Sequence, residues 1–165
     1  MSSPANFFLT QIVTFTNLSL GILSIISSDM KSAVLFILAA ALVDRMDGKI
    51  ARKLSCESNL GRELDSLSDL VSFGVAPAAI IWKSSLNFAG FWGYIPIILF
   101  VIAGAFRLAR FNVSKMSDSY SGMPITVAGS LVAFITFFTN NNIFFSILLI
   151  ILSFLMVSRI KFKKI

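Results

Sequence analysis

Six apolar stretches, separated by short polar segments, account for most of the chain. They cover residues 7–27, 32–50, 64–82, 91–109, 125–138 and 143–157. At ~1.5 Å of rise per residue, a helix of ~20 residues crosses the ~30 Å hydrocarbon core of a bilayer. The pattern therefore predicts an all-α integral membrane protein with six transmembrane helices. The fifth and sixth stretches are short, and Pro77 is expected to bend the third helix.

The first apolar stretch carries polar residues that lipid would not accept. Thr14, Asn17 and Gly21 recur at helical spacing and fall on one face of the predicted helix. Polar groups inside a membrane face protein or a ligand, because lipid offers them no hydrogen-bond partner. This face is therefore expected to contact other helices or a polar ligand.

Composition supports a membrane protein and limits its chemistry. The 165 residues suggest a single domain, 1–165, and they are 56% hydrophobic but only 13% charged. A water-soluble helical bundle would need more charge, because soluble domains are about 25% charged. The sequence has no histidine, so acid–base chemistry falls to carboxylates and any bound metal is expected to be a hard cation.

Basic residues are distributed unevenly between the two sides of the predicted membrane protein. Twelve of the 14 lysines and arginines fall on one side, and only Lys31 and Lys83 fall on the other. This bias predicts that the twelve face the cytoplasm, together with both termini, in a multi-pass protein of the cell membrane. Basic residues that flank apolar helices suit anionic lipid headgroups better than nucleic acid, for which no binding module is recognisable.

Four aspartates occur in two pairs, at the polar ends of the second and third stretches. Asp44 and Asp47 are three residues apart, and Asp65 and Asp69 are four apart, so each pair shares a helix face. The segment between these stretches is too short to cross a membrane, so the two helices are antiparallel neighbours. At packing distances of ~8–10 Å, the two pairs are expected to meet between the helices.

Carboxylates gathered at a membrane edge repel one another, and a bound multivalent cation relieves the repulsion. Oxygen ligands suit Mg²⁺, Mn²⁺ or Ca²⁺, and four carboxylates can hold two cations ~3.5–4 Å apart for phosphoryl chemistry. Gly48 and Gly61 leave room for a bulky ligand, and Arg52 can bind a phosphate. In the alternative interpretation, the aspartates form a helix-end network with basic neighbours, namely Arg45, Lys49, Arg52 and Arg62.

The aspartates and their neighbours resemble the signature of the CDP-alcohol phosphatidyltransferase family. That signature reads D-x-x-D-G-x-x-A-R, eight further residues, then G-x-x-x-D-x-x-x-D. Its fixed positions are all matched, by Asp44, Asp47, Gly48, Ala51, Arg52, Gly61, Asp65 and Asp69. The resemblance implies six membrane helices, a homodimer, and an active site at the cytoplasmic membrane interface.

The resemblance also implies a metal set and a catalytic base. Asp44, Asp47 and Asp65 would bind one divalent cation, and Asp44, Asp65 and Asp69 would bind a second. Either Mg²⁺ or Mn²⁺ would serve, and the two cations would neutralise the pyrophosphate of a CDP-lipid donor. Asp69 would take the proton from an acceptor hydroxyl, whose oxygen attacks the lipid-side phosphorus in line while CMP leaves.

Other residues are expected to bind the CDP-lipid donor. The resemblance implies that Gly48, Arg52 and Ser58 contact the CDP moiety, and Gly61 would allow its close approach. Asn17 is placed near the nucleotide, although an interhelical hydrogen bond explains it equally well. The linkage of the donor lipid, ester or ether, stays open.

Stretches outside the signature resemble the phosphatidylserine synthase branch of the family. They are residues 16–21, 64–77, 106–112 and 121–124. The next residues, Ile125, Thr126 and Val127, depart from the Pro-Ala-rich continuation that this branch would have. The resemblance implies CDP-diacylglycerol as the donor and the hydroxyl of L-serine as the acceptor, giving phosphatidylserine.

Two arginines could bind the acceptor. Arg107 and Arg110 are three residues apart at the end of the fourth stretch and could hold the carboxylate of serine. The same pair could hold glycerol 3-phosphate or inositol phosphate, or it could anchor the helix at the membrane interface. A rival of another class, a carboxylate-lined cation transporter, would place its acidic groups near the bilayer midplane instead of beside a basic cytoplasmic loop.

Overall fold

The computed structural model describes residues 4–54, 58–113 and 122–158, which form a bundle of helices without β-strands. Two irregular helical segments lie among the α-helices: a π-helical segment, Leu70–Val75, and a 3₁₀ segment, Leu86–Gly93. The α-helices of the described residues are α1 (Pro4–Ile26), α2 (Met30–Leu54), α3 (Asn59–Asp69), α4 (Ala76–Ser84), α5 (Tyr94–Val113), α6 (Ile125–Ile135) and α7 (Asn142–Val157).

Within the described part of the chain, the helices combine into six helical segments that correspond to the six predicted stretches. The π-helical segment joins α3 and α4 into Asn59–Ser84, and the 3₁₀ segment runs into α5 to give Leu86–Val113. Within the described residues, these two segments are long and apolar enough to cross a membrane, judged by length and composition alone. The prediction of an all-helical protein is therefore confirmed for the described residues, whereas six membrane crossings stay a prediction.

Polar residues fix where several helices begin. The carboxylate of Asp29 accepts hydrogen bonds from the backbone N–H of Ser32, at 2.9 Å, and from its hydroxyl, at 2.7 Å, just before α2. Asn141 accepts from two backbone N–H groups in the first turn of α7. Each side chain satisfies donors that the first turn of a helix leaves without an intrahelical partner.

The third helical segment is irregular before Pro77 and not only at it. Pro77 has no N–H to donate to the carbonyl of Phe73, four residues earlier. The helix widens over Leu70–Val75, where the N–H of Ala76 bonds to the carbonyl of Val71, five residues earlier. Pro77 itself lies in the first turn of α4, where a missing N–H is tolerated. π-Helical turns are rare, and they frequently lie at functional sites. This one directly follows Asp69.

Contacts between helix ends gather several of them at one end of the bundle. The side-chain amide of Asn112, near the end of α5, donates to the hydroxyl of Ser66 in α3 at 3.0 Å. The guanidinium of Arg110 donates to the carbonyl of Val157, at the end of α7, at 2.9 Å. Because α2 leads into α3, the end of α2 lies here as well. We call this end of the bundle the site end.

Candidate active site

Three aspartates from two helices converge at the site end. Asp44 of α2 and Asp65 and Asp69 of α3 each offer a carboxylate oxygen, and these oxygens lie within 4.8 Å of one another. Asp69 is only 8% exposed. The structure thus brings together three of the four aspartates that the spacing singled out. The side chains of Asp47 and Arg52, and the surroundings of Gly48, lie outside what the structure describes.

The three carboxylates form a donor set that fits a hard divalent cation. Ionised carboxylates are hydrogen-bond acceptors only, so they cannot relieve their mutual repulsion by bonding to one another. Oxygen ligands at this spacing are those that Mg²⁺ and Mn²⁺ prefer. Asp44, Asp65 and Asp69 could therefore hold a cation between α2 and α3.

A buried hydrogen bond connects α1 to Asp69. The Nδ2 group of Asn17 donates to Oδ1 of Asp69 at 3.1 Å, and Asn17 is only 1% exposed. The backbone carbonyl of Asn17 accepts from the hydroxyl of Ser72 at 2.9 Å. Gly21 allows this approach, because a Cβ there would lie 2.4 Å from Oγ of Ser72. Asn17 therefore makes the interhelical hydrogen bond, and its contact with the nucleotide stays a prediction.

Asp44 has a hydrogen-bond partner that the sequence reasoning did not identify. The hydroxyl of Thr126, the second residue of α6, donates to Oδ2 of Asp44 at 3.2 Å. In the sequence, Thr126 stood out only as part of a departure from the family pattern. No local pattern could have paired it with a residue 82 positions earlier.

The two arginines that were predicted to bind the acceptor have different surroundings. Arg107 lies close enough to Asp69 for their charges to interact, and its Nε is buried without a hydrogen-bond partner among the described residues. Arg110 donates to the carbonyls of Val157 and Ser158, at 2.9 and 3.3 Å, at the end of α7. The charge of Arg107 thus interacts with that of Asp69, whereas Arg110 contacts the last carbonyls of a neighbouring helix.

Ser58 and Gly61 lie at the start of α3, next to α1. The hydroxyl of Ser58 accepts from the backbone N–H of Gly61 at 2.9 Å and caps the helix. A Cβ at Gly61 would lie 3.0 Å from this hydroxyl and 3.2 Å from Nε2 of Gln11. Gln11 is 8% exposed, and its Oε1 has no hydrogen-bond partner within the described part of the chain. The predicted contacts of Ser58 and Gly61 with the donor remain untested.

Comparison with known proteins agrees with the signature. Residues 6–158 match the family model described as CDP-alcohol phosphatidyltransferase. A CDP-diacylglycerol–serine O-phosphatidyltransferase of Bacillus subtilis (strain 168) is 41% identical over 154 residues, which cover 91% of this chain and 86% of the relative.

Two archaeal relatives are similar over most of the chain. An enzyme of Methanocaldococcus jannaschii with the same name as the Bacillus relative is 38% identical over 152 residues, which cover 92% of this chain and 72% of the relative. An archaetidylserine synthase of Methanothermobacter thermautotrophicus is 34% identical over 168 residues, which cover 95% of this chain and 70% of the relative.

Proposed function

The chain belongs to the CDP-alcohol phosphatidyltransferase family, and on that premise we propose that it makes phosphatidylserine. It transfers a phosphatidyl group from CDP-diacylglycerol to the hydroxyl of L-serine and releases CMP. The observation that carries the proposal is the convergence of three carboxylates, from α2 and α3, within 4.8 Å. The names of the relatives in Bacillus and Methanocaldococcus support serine as the acceptor.

Asp69 is the proposed base. It is the most buried of the three carboxylates, and Asn17 holds one of its oxygens by donating a hydrogen bond. The other oxygen can accept a proton from the acceptor hydroxyl as that hydroxyl attacks phosphorus in line. The hydrogen bond from Asn17 restricts rotation of the carboxylate, so the accepting oxygen keeps one direction.

Divalent cations complete the proposed site. Asp44, Asp47, Asp65 and Asp69 would hold two, either Mg²⁺ or Mn²⁺, and the described three of these already form a suitable donor set. When bound, such cations neutralise the pyrophosphate of the donor and stabilise the charge on departing CMP. Gly48, Arg52, Ser58 and Gly61 are proposed to contact the CDP moiety.

Arg107 is the proposed partner of the serine carboxylate. Its charge interacts with that of Asp69, and its Nε has no hydrogen-bond partner among the described residues. A planar guanidinium can donate two parallel hydrogen bonds to a carboxylate. Serine held in this way has its hydroxyl only two bonds from its Cα, close to the base. Arg110 is a less suitable partner, because it already donates to the carbonyls of α7.

The family is one of membrane-associated lipid-synthesis enzymes, and we propose a multi-pass protein of the cytoplasmic membrane that acts as a homodimer. Large apolar side chains are exposed along the bundle, including Leu42, Ile102 and Phe154. The 3₁₀ segment at the end opposite the site exposes Phe88 and Trp92, and aromatic side chains are typical of the membrane interface. These features support membrane spans, and the twelve basic residues on the side of the site end support a cytoplasmic orientation for it.

An ether-lipid donor is the second candidate. The observation that favours this donor is the similarity to an archaetidylserine synthase over 95% of the chain. Both candidates share the acceptor, the cations and the carboxylates, because the lipid chains lie away from the reacting phosphorus. They differ in the lipid part of the donor, where ether-linked chains replace ester-linked ones.

The test is a matrix of donors and acceptors with the purified full chain. CDP-diacylglycerol and CDP-archaeol would each be incubated with serine, glycerol 3-phosphate, inositol phosphate or choline, in Mn²⁺ or in EDTA. We expect release of CMP with serine, phosphatidylserine as the product, and no release in EDTA. Metal-dependent release with another acceptor and not with serine would refute the proposed acceptor. A lack of release with every acceptor would refute the proposed chemistry.

A further inference from the structure

Thr126 is placed to act on the proposed cation site through Asp44. Its hydroxyl donates to Oδ2 of Asp44 at 3.2 Å. This direction suits a metal ligand, because a carboxylate that binds a cation is ionised and can only accept. A neutral hydroxyl restrains one carboxylate oxygen without bringing a positive charge that would compete with a cation. The other oxygen of Asp44 is then held in a defined direction.

This hydrogen bond is not the usual one for a hydroxyl on a helix. Serine and threonine side chains in this protein commonly donate to the carbonyl four residues earlier in their own helix, as do Thr16, Ser19, Ser68 and Ser153. Thr126 is the second residue of α6, so its fourth preceding residue, Gly122, lies outside the helix. The hydroxyl of Thr126 reaches across to α2 instead.

Packing on both sides of Thr126 fixes the position of its hydroxyl. Ile125 is 1% exposed, and its side chain packs closely against Gly104. A Cβ added at Gly104 would lie only 2.6 Å from the terminal methyl of Ile125. One turn later, Gly129 packs closely against the π-helical segment. A Cβ added at Gly129 would lie 2.2 Å from the carbonyl oxygen of Phe73 in that segment. The start of α6 is therefore held against the bundle at two points, and Thr126 lies between them.

The resemblance to the phosphatidylserine synthase branch does not imply a hydroxyl at this position. The phosphatidylserine synthase branch would have a Pro-Ala-rich continuation after residue 124, and neither proline nor alanine has a side-chain donor. We infer that Thr126 is a positioning residue for Asp44, which orients this carboxylate toward a divalent cation and raises the affinity of the site. The inference rests on the proposed function, since it presupposes that Asp44 ligates a cation.

The test is the affinity for Mn²⁺, measured by electron paramagnetic resonance with the full chain in detergent micelles. Groups that orient a metal ligand typically change metal affinity ~10–100-fold when they are removed. We therefore expect Thr126→Val, which has nearly the same shape, to weaken Mn²⁺ binding at least ~10-fold, while Thr126→Ser restores most of the affinity. Thr16→Val is the matched control, because it removes a hydroxyl that bonds only to its own helix, and its affinity should not change.

The outcomes separate this inference from the proposed function. Wild-type affinity in Thr126→Val, or equal weakening in Thr126→Ser and Thr126→Val, would overturn the role of the hydroxyl while the cation site stands. A wild-type protein that binds no Mn²⁺ would overturn the cation site and this inference with it. Unfolding temperatures in EDTA report whether each variant is folded. If Thr126→Val is not folded, Thr126→Ala takes its place, and its Mn²⁺ affinity is compared with that of Thr126→Ser by the same criteria.

Discussion

Gly129→Ala tests whether α6 is held against the third helical segment as closely as the structure shows. A Cβ at this position would lie 2.2 Å from the carbonyl oxygen of Phe73 and 2.7 Å from its Cα. These are backbone atoms, which cannot rotate away as a side chain can. The separation from the oxygen would have to increase by about 1.2 Å to reach the 3.4 Å at which ordinary contact begins.

Gly129→Ala is expected to lower the free energy of unfolding, whereas helix propensity alone would predict that it rises. In an unobstructed helix, alanine in place of glycine stabilises by ~1 kcal/mol. Overpacking a close contact costs ~1–3 kcal/mol. A clash with backbone belongs at the upper end, ~2–3 kcal/mol, so the net expectation is a loss of ~1–2 kcal/mol. For a chain of this size, that corresponds to a fall in the unfolding temperature of roughly 2–8 °C.

The assay is thermal unfolding of the purified protein in detergent, with Gly104→Ala as the matched control. A Cβ at Gly104 would meet the terminal methyl of Ile125, which is the end of a side chain and not backbone, so the control should lower the unfolding temperature less than Gly129→Ala does. Gly129→Ala should also bind Mn²⁺ more weakly, because a displaced α6 carries Thr126 away from Asp44. An unfolding temperature for Gly129→Ala at or above that of the wild type would refute the close packing.

Two further predictions concern the acceptor and a helix start. Arg107→Gln should raise KM for serine at least ~10-fold, since hydrogen bonds to charged groups contribute ~1.5–3 kcal/mol. Arg110→Gln should mainly lower the unfolding temperature, because Arg110 bonds to the end of α7. Equal changes in KM for the two variants would contradict this distinction. Hydrogen bonds from Ser32 hold the pKa of Asp29 below its ordinary value of 3.8, so the carboxylate stabilises the fold above that pH and loses this effect as the pH falls through its lowered pKa. Asp29→Ala should therefore unfold at a lower temperature than the wild type near pH 7, with a difference that shrinks below pH 3.8; a difference that does not depend on pH would contradict the cap.

The carboxylate cluster could be predicted from the sequence because its geometry follows from helical spacing. Asp65 and Asp69 share a helix face, and a short connection brings Asp44 next to them on an antiparallel neighbour. The π-helical turn before Pro77 could not be predicted, because the choice between a bend and a wider turn depends on what packs against the helix. Here Gly129 of α6 packs closely against the turn.

Polar contacts between distant helices were the other part that the sequence did not reveal. Asn17 had two interpretations, and the choice between them required the position of Asp69 relative to α1. The arginines Arg107 and Arg110 looked equivalent in sequence, since both lie at the end of the same apolar stretch. They differ because α7 ends beside Arg110, whereas the charge of Arg107 interacts with that of Asp69.

The most direct test of the central claim is serine-dependent release of labelled CMP from CDP-diacylglycerol by Asp69→Asn. General-base catalysis contributes ~10²–10⁴-fold to a rate, so this variant should lose at least ~100-fold in turnover and still bind the CDP-lipid. Asp29→Asn, an exposed aspartate at the opposite end of the bundle, should keep the wild-type rate. Wild-type turnover in Asp69→Asn would contradict the assignment of the base and the site built around it.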